Sequence, residues 1–367
     1  SMALSAPDAL REGFTTGSCA AAAAQASAIR QLEGRTPRQV EIATPSGKSL
    51  KLHIVELSYP ICGVVKDAGD DPDVTNGMTV TASVEIRSDD GAIEYAAGPG
   101  VGTVTRGGLK VPVGEPAVNP VPRQMIEKAL RRVIGARGAK VTLSIPGGEE
   151  KARRTFNPRL GIVGGLSVLG TTGIVKPYNI ESVYQSFTLE LNTFAVTGAQ
   201  IIGLTFGNTG EKAMRQAWGL TGRCIMQTGN YIGYVLDEAL RLKFRRVLLC
   251  GHPGKLLKVA AGTFDTYNRT GDGRREALCT QAALAGCSVE LIRELYESST
   301  TEAAMEIMKK ERLDFLWTRL AEVTAQRCRN RMFEDLAVEA AFIDNEGGLL
   351  GTSSGAAAFA EELRHGT

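Results

Sequence analysis

Residues 200–218 read QIIGLTFGNTGEKAMRQAW, and this stretch is the best local guide to the fold. Residues 200–206 are a short apolar run, which predicts a buried strand. The turn Gly207-Asn208-Thr209-Gly210 follows, and residues 211–218 have the spacing of a helix. A strand, a glycine-rich turn and a helix in this order are typical of a parallel sheet with crossover helices.

The same order of elements occurs twice more in the second half of the chain. One copy runs from residue 224 to 242 through the turn Gly229-Asn230. The other runs from residue 246 to 262 through the turn Gly251-His252-Pro253-Gly254, and a long helical region follows it. Residues 342–350 and 355–363 predict one more strand and helix. We therefore predict that residues 191–367 form an α/β, Rossmann-like domain with a parallel sheet and a helical C-terminal region.

In the first half of the chain, short runs of β-branched residues outnumber helical patterns. Turn clusters rich in Pro, Ser, Asp and Gly separate these runs, which is typical of strands. Many strands with few helices favour an α+β fold with a mostly antiparallel or mixed sheet. We predict that residues 1–190 form such a domain. The runs are residues 39–43, 50–57, 62–66, 79–87 and 102–105.

The composition limits the kind of protein that this chain can be. Its 42 basic and 40 acidic side chains give a formal net charge of +2, without the basic excess of a dedicated nucleic-acid binder. Its seven cysteines form no Cys-x-x-Cys pair, which argues against a disulfide framework and a thiolate zinc site. The chain has neither a signal-peptide pattern nor a long apolar stretch. We expect a cytoplasmic protein with no protein-bound metal and no membrane partner, and leave open whether it forms a homo-oligomer.

The turn at Gly251 ends like a phosphate-binding loop but lacks two residues of that motif. Leu249 stands where the loop has its first glycine, and Leu256 stands where it has the Ser or Thr that holds magnesium. A kinase or an ATPase is therefore disfavoured. His252 in the same turn has two interpretations, a hydrogen-bonded structural group or a functional group at the end of a parallel strand.

Hydroxyl side chains precede an alanine-rich helix near the start of the chain. Thr15, Thr16 and Ser18 stand immediately before or within the first turn of this predicted helix. They can cap the helix, which requires no ligand. They can equally help the helix N-terminus to bind a carboxylate or a phosphate. The sequence leaves both alternatives open.

Four aspartates, Asp67, Asp70, Asp71 and Asp73, lie within seven residues, directly after an apolar strand and beside Lys66. Because like charges repel, such a cluster needs cations, backbone donors or a shared proton. Three alternatives follow: a structural loop of Asx-turns, an acid/base loop that faces a substrate, or a metal site.

Several basic residues stand next to glycine-rich turns. An arginine in such a place can bind a carboxylate with two hydrogen bonds. Most of the basic residues between positions 131 and 159 instead fit a solvated helix and strand face. We predict that the residues next to turns hold anionic groups of a ligand. They are Arg106, Lys110, Arg123, Arg159, Lys176, Lys255 and Arg274.

Six motifs lie in order along nearly the whole chain, at residues 13–22, 64–75, 98–106, 112–123, 157–175 and 251–255. The first begins Gly13-Phe14-Thr15-Thr16-Gly17, and the last is Gly251-His252-Pro253-Gly254-Lys255. With these motifs the sequence resembles the cobalt-precorrin-5B C1-methyltransferase family of anaerobic cobalamin biosynthesis. It departs from the family pattern at Asp265-Thr266-Tyr267-Asn268, where the family has Asn-Thr-His-Ser.

The resemblance implies a methyltransferase that uses S-adenosylmethionine and converts cobalt-precorrin-5B to cobalt-precorrin-6A by methylating ring carbon C-1. Its substrate is then a small-molecule corrinoid with many acetate and propionate arms, and the cobalt arrives inside that substrate. Residues 1–190 become the corrinoid-facing domain. The alternative is a non-catalytic corrinoid carrier in the same pathway.

The predicted sites follow from the resemblance together with the two folds. We predict that S-adenosylmethionine binds at the glycine turns of the second half, because turns after parallel strands meet at one edge of a sheet. The catalytic candidates are Asp67, Asp70 and His252. The predicted substrate-binding residues are Thr15, Thr16, Ser18, Lys66, Arg106, Arg123, Arg159 and Lys176. The predicted cofactor-binding residues are Gly207, Asn208, Thr209, Gly229, Asn230, Gly251 and Gly254.

Overall fold

The computed structural model of this chain describes residues 10–366. These residues form a mixed α/β protein with two five-stranded sheets and several two-stranded ones. The chain divides into two compact units between Ser186 and Phe187. No helix among residues 10–366 is both long and apolar enough to cross a lipid bilayer.

Within residues 10–186, the first unit contains thirteen short or medium strands and four helices, and a fifth helix spans its C-terminal boundary. In chain order they are β1 (Gly13–Phe14), α1 (Thr16–Glu33), β2 (Gln39–Ala43), β3 (Ser49–His53), β4 (Val55–Glu56), β5 (Cys62–Val65), β6 (Thr79–Asp90), β7 (Ile93–Ala97), β8 (Gly100–Val101), β9 (Thr103–Val104), α2 (Pro120–Ile134), β10 (Arg137–Ser144), α3 (Gly148–Ala152), α4 (Asn157–Leu160), β11 (Ile162–Val163), β12 (Gly165–Leu166), β13 (Ile174–Val175) and α5 (Ile180–Ala195).

The main sheet of the first unit has the strand order β4-β5-β6-β10-β7. All its neighbours pair antiparallel except β10 and β7, which run parallel. In β6 the side chains of Val80, Ala82 and Val84 are at most 1% exposed, whereas on the other face Thr81 is 7% exposed and Thr79 and Ser83 are only partly buried. This alternation places one face of the sheet against the core, as the period of a strand requires.

The alanine-rich helix α1 is the centre of the first core. Its residues 19–24 are fully buried, and α1 packs against both α2 and β6. Because alanine has only a methyl group as its side chain, neighbouring elements can come close to the helix axis on several sides. The helix ends at Gly34, whose φ of +77° suits the left-handed position that often follows a helix.

The second unit alternates strands with helices and then becomes mostly helical. In chain order its elements after α5 are β14 (Ile201–Thr205), α6 (Asn208–Trp218), β15 (Ile225–Gln227), α7 (Ile232–Arg241), β16 (Arg246–Gly251), α8 (Pro253–Ala260), α9 (Arg274–Leu284), α10 (Val289–Glu297), α11 (Thr301–Lys310), α12 (Phe315–Arg331), β17 (Ala337–Ile343), β18 (Leu349–Thr352) and α13 (Ala356–His365).

The sheet of the second unit has the order β15-β14-β16-β17-β18, and its first four strands are parallel. Its central strands β14 and β16 are buried almost along their whole length. Helices that connect parallel strands cover both faces of such a sheet, so these strands are apolar throughout rather than alternating.

The end of this sheet differs from the sequence-based prediction. Residues 342–350 read as one strand, but the chain forms a hairpin there and β18 returns antiparallel to β17. Asp344 accepts hydrogen bonds from the backbone of Glu346 and Gly348, which closes the turn. A connection this short can join only antiparallel strands, because a parallel pair needs a long crossover. Residues 344–348, Asp-Asn-Glu-Gly-Gly, are a turn signal that the prediction overlooked.

Candidate functional site

The three glycine turns of the second unit lie at one edge of its sheet. β15, β14 and β16 are neighbours and run parallel, so the turns at their carboxyl ends share that edge. β14 comes first in the chain but lies between the other two, which makes this position a topological switch point. Open α/β sheets bind ligands at such points.

Two of the predicted cofactor-binding glycines border open space. At Gly207 and at Gly229 a Cβ atom would meet no other atom within 4 Å. Next to them, Thr209 is exposed, and Asn208 Oδ1 accepts a hydrogen bond of 2.8 Å from Gln227 Nε2. A ligand can therefore approach the backbone closely at these two turns.

The third turn is filled by protein atoms. A Cβ atom at Gly251 would lie 2.5 Å from a ring atom of Phe206, so this glycine is needed for packing. The backbone N–H of Gly254 donates to His252 Nδ1 at 3.0 Å, and its carbonyl accepts from Arg274 at 3.2 Å. Direct contact of Gly251 and Gly254 with a cofactor stays a prediction.

His252 caps helix α8 and has partners at both ring nitrogens. Its Nδ1 accepts the hydrogen bond from Gly254, so the ring proton is assigned to Nε2. Nε2 lies 2.9 Å from Glu302 Oε1 and donates to it. This arrangement is the structural role that the sequence left open, and a catalytic role for His252 remains an untested prediction.

Asn230 is the centre of a polar network behind the second turn. Its Oδ1 accepts hydrogen bonds from Lys255 Nζ and Thr266 Oγ1, each at 3.0 Å. Thr266 is fully buried, and its carbonyl oxygen also accepts from Lys258 Nζ at 3.1 Å. Sequence reasoning missed Lys258, although its position three residues after Lys255 places both on one side of the helix.

In the first unit, the start of α1 is capped by its own hydroxyl groups. Thr15 Oγ1 accepts from the backbone N–H of Ser18 at 3.1 Å, and Ser18 Oγ donates to the carbonyl of Gly173 at 2.8 Å. The backbone N–H of Gly17 donates to Leu169 at 3.0 Å, and Thr16 Oγ1 accepts from Leu169 at the same distance. Of the two alternatives that the sequence left open, these contacts support helix capping.

We expect Thr15→Ala to lower the free energy of unfolding by about 1 kcal/mol, because the N–H of Ser18 loses its acceptor. Thr15→Ser keeps a hydroxyl in the same place and is the matched control. Urea denaturation followed by circular dichroism measures both. A Thr15→Ala variant as stable as the wild type, with weaker corrinoid binding, would favour anion capture instead.

Lys66 and Asp73 form a largely buried ion pair within the four-aspartate loop. Lys66 Nζ lies 2.6 Å from Asp73 Oδ2, and the Lys66 side chain is only 3% exposed. Thr75 donates to Asp73 Oδ1 through its backbone N–H at 2.8 Å, and its hydroxyl also contacts Lys66. The ammonium of Lys66 therefore has protein partners, and its predicted contact with the substrate stays untested.

The other three aspartates also have partners. Both Asp67 carboxylate oxygens accept from the Arg11 guanidinium, at 2.6 and 2.9 Å. These hydrogen bonds, with one from the backbone of Gly69, hold the pKa of Asp67 below its ordinary value. Asp70 accepts from the backbone N–H of Arg11, and Asp71 accepts from that of Tyr178. The aspartates thus have partners outside the loop, and Asx-turn hydrogen bonds at Asp67 and Asp73 support the structural alternative.

Metal ligands are not gathered at this loop or elsewhere in residues 10–366. No group of three or more His, Cys, Asp or Glu side chains in that range could hold a metal ion.

The predicted arginines differ in how they are held. Arg123 donates to the carbonyls of Val118 and Pro116 and forms an ion pair with Glu115, so its guanidinium braces its own loop. Arg106 donates to the carbonyl of Arg159 at 3.2 Å. Lys176 and Lys110 are exposed. Of these cations, the exposed lysines are the ones best placed to meet a ligand.

A groove of about 640 Å³ lies wholly within the first unit and was not predicted. Its lining includes the apolar side chains of Val55, Leu57 and Met78. The charged residues Glu150, Lys151 and Arg154 also line it. This volume is within the range of small-molecule sites. The groove could not be predicted from the sequence, because three separate chain segments form it. The sequence pattern had also placed its two cations on a solvated face.

Comparison with known proteins gives a consistent result. The family model described as CbiD matches residues 4–177, and the model described as CbiD, C-terminal domain matches residues 265–354. A curated protein of Photorhabdus laumondii, named cobalt-precorrin-5B C(1)-methyltransferase, is 46% identical over 86% of this chain and 85% of its own length. One of Alkaliphilus metalliredigens with the same name is 40% identical over 97% of this chain and 95% of its own length.

A crystal structure titled cobalamin biosynthesis protein (cbiD) from Archaeoglobus fulgidus is 29% identical to this chain. The match covers 73% of this chain and 84% of that one, with a TM-score of 0.39.

Proposed function

From the premise that this chain belongs to the CbiD family, we propose that it is a methyltransferase that methylates C-1 of cobalt-precorrin-5B. The observation that carries the proposal is the 40% identity to a curated enzyme of that name, which extends over 97% of this chain. A match of this length includes both units and not only a shared binding module. No observation favours the alternative of a non-catalytic corrinoid carrier.

The methyl donor in this proposal is S-adenosylmethionine, bound at the sheet edge of the second unit. In support, Gly207 and Gly229 leave the backbone open to a ligand at the switch point. The strand order of this parallel region also agrees with a Rossmann-like nucleotide site. In the reaction, the electron pair of ring carbon C-1 forms the bond to the methyl carbon. The sulfur–carbon bond breaks, and the sulfur keeps its pair as S-adenosylhomocysteine leaves.

The substrate in this proposal binds to the first unit through its carboxylate arms. The groove lined by Leu57 and Met78 offers apolar surface for a macrocycle, and Lys151 and Arg154 offer charges for its acetate and propionate groups. Thr15 and Ser18, which the sequence had suggested for this purpose, are buried and already hydrogen-bonded. We therefore favour the groove over the start of α1.

The protein's main contribution to the rate is positioning and exclusion of water, because the sulfonium methyl is already activated. A base, where one is needed, is better supplied by Asp70 than by Asp67. The two Arg11 hydrogen bonds stabilise the ionised form of Asp67 and make it a weak proton acceptor. Asp70 instead accepts a hydrogen bond from the backbone N–H of Arg11.

The test is transfer of label from methyl-labelled S-adenosylmethionine to cobalt-precorrin-5B. We expect the wild-type protein to place the label on ring carbon C-1 and to release S-adenosylhomocysteine. Asp70→Asn should lower turnover more than Asp67→Asn if Asp70 is the base. Absence of label from the ring, with the corrinoid still bound, would contradict the proposed function and favour the carrier. Full turnover by both variants would remove the two aspartates from the mechanism.

A further inference from the structure

Two lysine side chains of helix α8 converge on one backbone oxygen. Lys258 Nζ lies 3.1 Å and Lys255 Nζ lies 3.5 Å from the carbonyl oxygen of Thr266. The Lys258 residue is only 1% exposed, whereas Lys255 is partly exposed. Two like charges are therefore held close together, one of them beneath the surface, and their repulsion is costly away from bulk water.

The remaining partners of both ammonium groups are neutral. Lys255 donates to Asn230 Oδ1 at 3.0 Å, and Lys258 donates to Asn268 Oδ1 at 3.1 Å. Within the described part of the chain, neither lysine lies within ion-pair distance of a carboxylate. Buried lysines are normally paired with an opposite charge, so this pair is unusual.

The nearby charges do not supply the missing anion. Asp272 is engaged by the guanidinium of Arg274 at 2.7 and 3.0 Å. Asp265 accepts from the backbone N–H of Tyr267 at 2.9 Å. Burial, and then the charges of Arg274 and Lys255, lower the pKa of Lys258, while the charges of Asp272 and Asp265 raise it. The three cations Lys255, Lys258 and Arg274 therefore outnumber these two carboxylates.

We propose that Lys255 and Lys258 form a binding site for a carboxylate group of a ligand, with Lys255 in direct contact and Lys258 as the charge beneath it. The site lies where ligands bind to such sheets, because Asn230 follows the turn after β15 and α8 follows β16. This inference rests on the proposed function. Both molecules of that reaction carry carboxylates: the methionyl group of S-adenosylmethionine and the side arms of the corrinoid.

The experiment compares ligands with and without the carboxylate on the full-length protein. Isothermal titration calorimetry measures the affinities for S-adenosylhomocysteine and for 5′-methylthioadenosine, which lacks the amino-acid group. We expect Lys255→Met and Lys258→Met each to weaken S-adenosylhomocysteine binding by about 30-fold and to leave 5′-methylthioadenosine within about twofold. Lys212→Met, an exposed change on α6, is the matched control and should change neither affinity.

A second arm identifies the source of the carboxylate. Cobyrinic acid and its heptamethyl ester are titrated into the same variants. A loss that affects the acid but not the ester, with S-adenosylhomocysteine unchanged, assigns the site to the corrinoid. Equal losses for a ligand and its carboxylate-free counterpart would mean general disruption and would overturn the proposal.

Unchanged affinities for all four compounds would also overturn it. If Lys258→Met does not fold, Lys255→Met alone tests the carboxylate site. Lys255 is partly exposed, so we expect this variant to fold. Methyl transfer by the wild-type protein is measured in parallel. If the wild-type protein labels the corrinoid and the variants bind all four compounds with normal affinity, the carboxylate site is refuted. The proposed function then still stands.

Discussion

Gly100→Ala is expected to lower the free energy of unfolding by about 4 kcal/mol, from a strained backbone together with a steric clash. Gly100 has a φ of +85°, which residues with a Cβ rarely adopt. A Cβ atom there would also lie 1.8 Å from the carbonyl oxygen of Ile145. No side-chain rotation can relieve this contact, since both partners belong to backbone segments.

The close approach at Gly100 involves two further glycines. A Cβ atom at Gly148 or at Gly165 would lie 2.4 or 2.2 Å from the carbonyl oxygen of Gly100. Three backbone segments therefore meet where no side chain fits. The motif at residues 98–106, which is one of the six that carry the family resemblance, therefore has a structural reason for its glycines.

Gly114→Ala is the matched control for this prediction. Gly114 has a similar φ of +91°, but a Cβ atom there would meet nothing within 4 Å. Gly114→Ala should lower the free energy of unfolding by about 1 kcal/mol, which is the contribution of backbone strain alone. Urea denaturation followed by circular dichroism compares the two variants. Equal losses of stability would show that the clash at Gly100 is relieved by movement of the neighbouring segments.

Lys66→Met should lower the free energy of unfolding by about 3 kcal/mol, because it leaves Asp73 without its cation in a poorly solvated place. The Asp73 side chain is 24% exposed and that of Lys66 is 3% exposed. Lys48→Met is the control, because Lys48 forms an exposed ion pair with Glu12, at 63% and 38% exposure. That change should cost less than about 0.5 kcal/mol. Similar losses in both variants would contradict a special role for the buried pair.

The pH dependence of stability gives an independent check on the same pair. Burial by itself raises the pKa of Asp73, but the charge of Lys66 and the hydrogen bonds from Lys66 and Thr75 outweigh it and hold the pKa below 3.8. The unfolded chain then binds the proton more readily, so this contribution is complete above pH 3.8 and is lost as pH falls below it. The wild type should lose stability more steeply than Lys66→Met as the pH falls below about 4.

Local patterns in the sequence predicted much of the second unit. The apolar run at residues 200–206 ends in a glycine turn, and this pattern recurs at Gly229 and Gly251. It predicted three parallel strands with their turns at one edge, as the pairing of β14 with β15 and β16 shows. The prediction missed the antiparallel β18, because it read residues 342–350 as one strand although the turn residues Asp344-Asn345-Glu346-Gly347-Gly348 interrupt them.

The candidate site was less predictable, because it depends on burial and on contacts between distant segments. The sequence marked Lys66, Thr15 and Arg123 as ligand contacts by their neighbours in the chain. The fold gives each of them a protein partner. Conversely, Lys151 and Arg154 read as surface residues, yet they border a groove whose apolar wall comes from Val55 and Leu57.

The sequence by itself determined the family, the alternation of strands and helices in the second unit, and the turns after its parallel strands. These properties depend on residue order, hydrophobic period and turn residues, all of which act over a few positions. Only the tertiary structure decided which charges are buried, as at Lys258, and which glycines are required by close packing, as at Gly100. The solvation of a charge and the space around a Cβ atom are set by segments far away in the chain, so local patterns do not contain them.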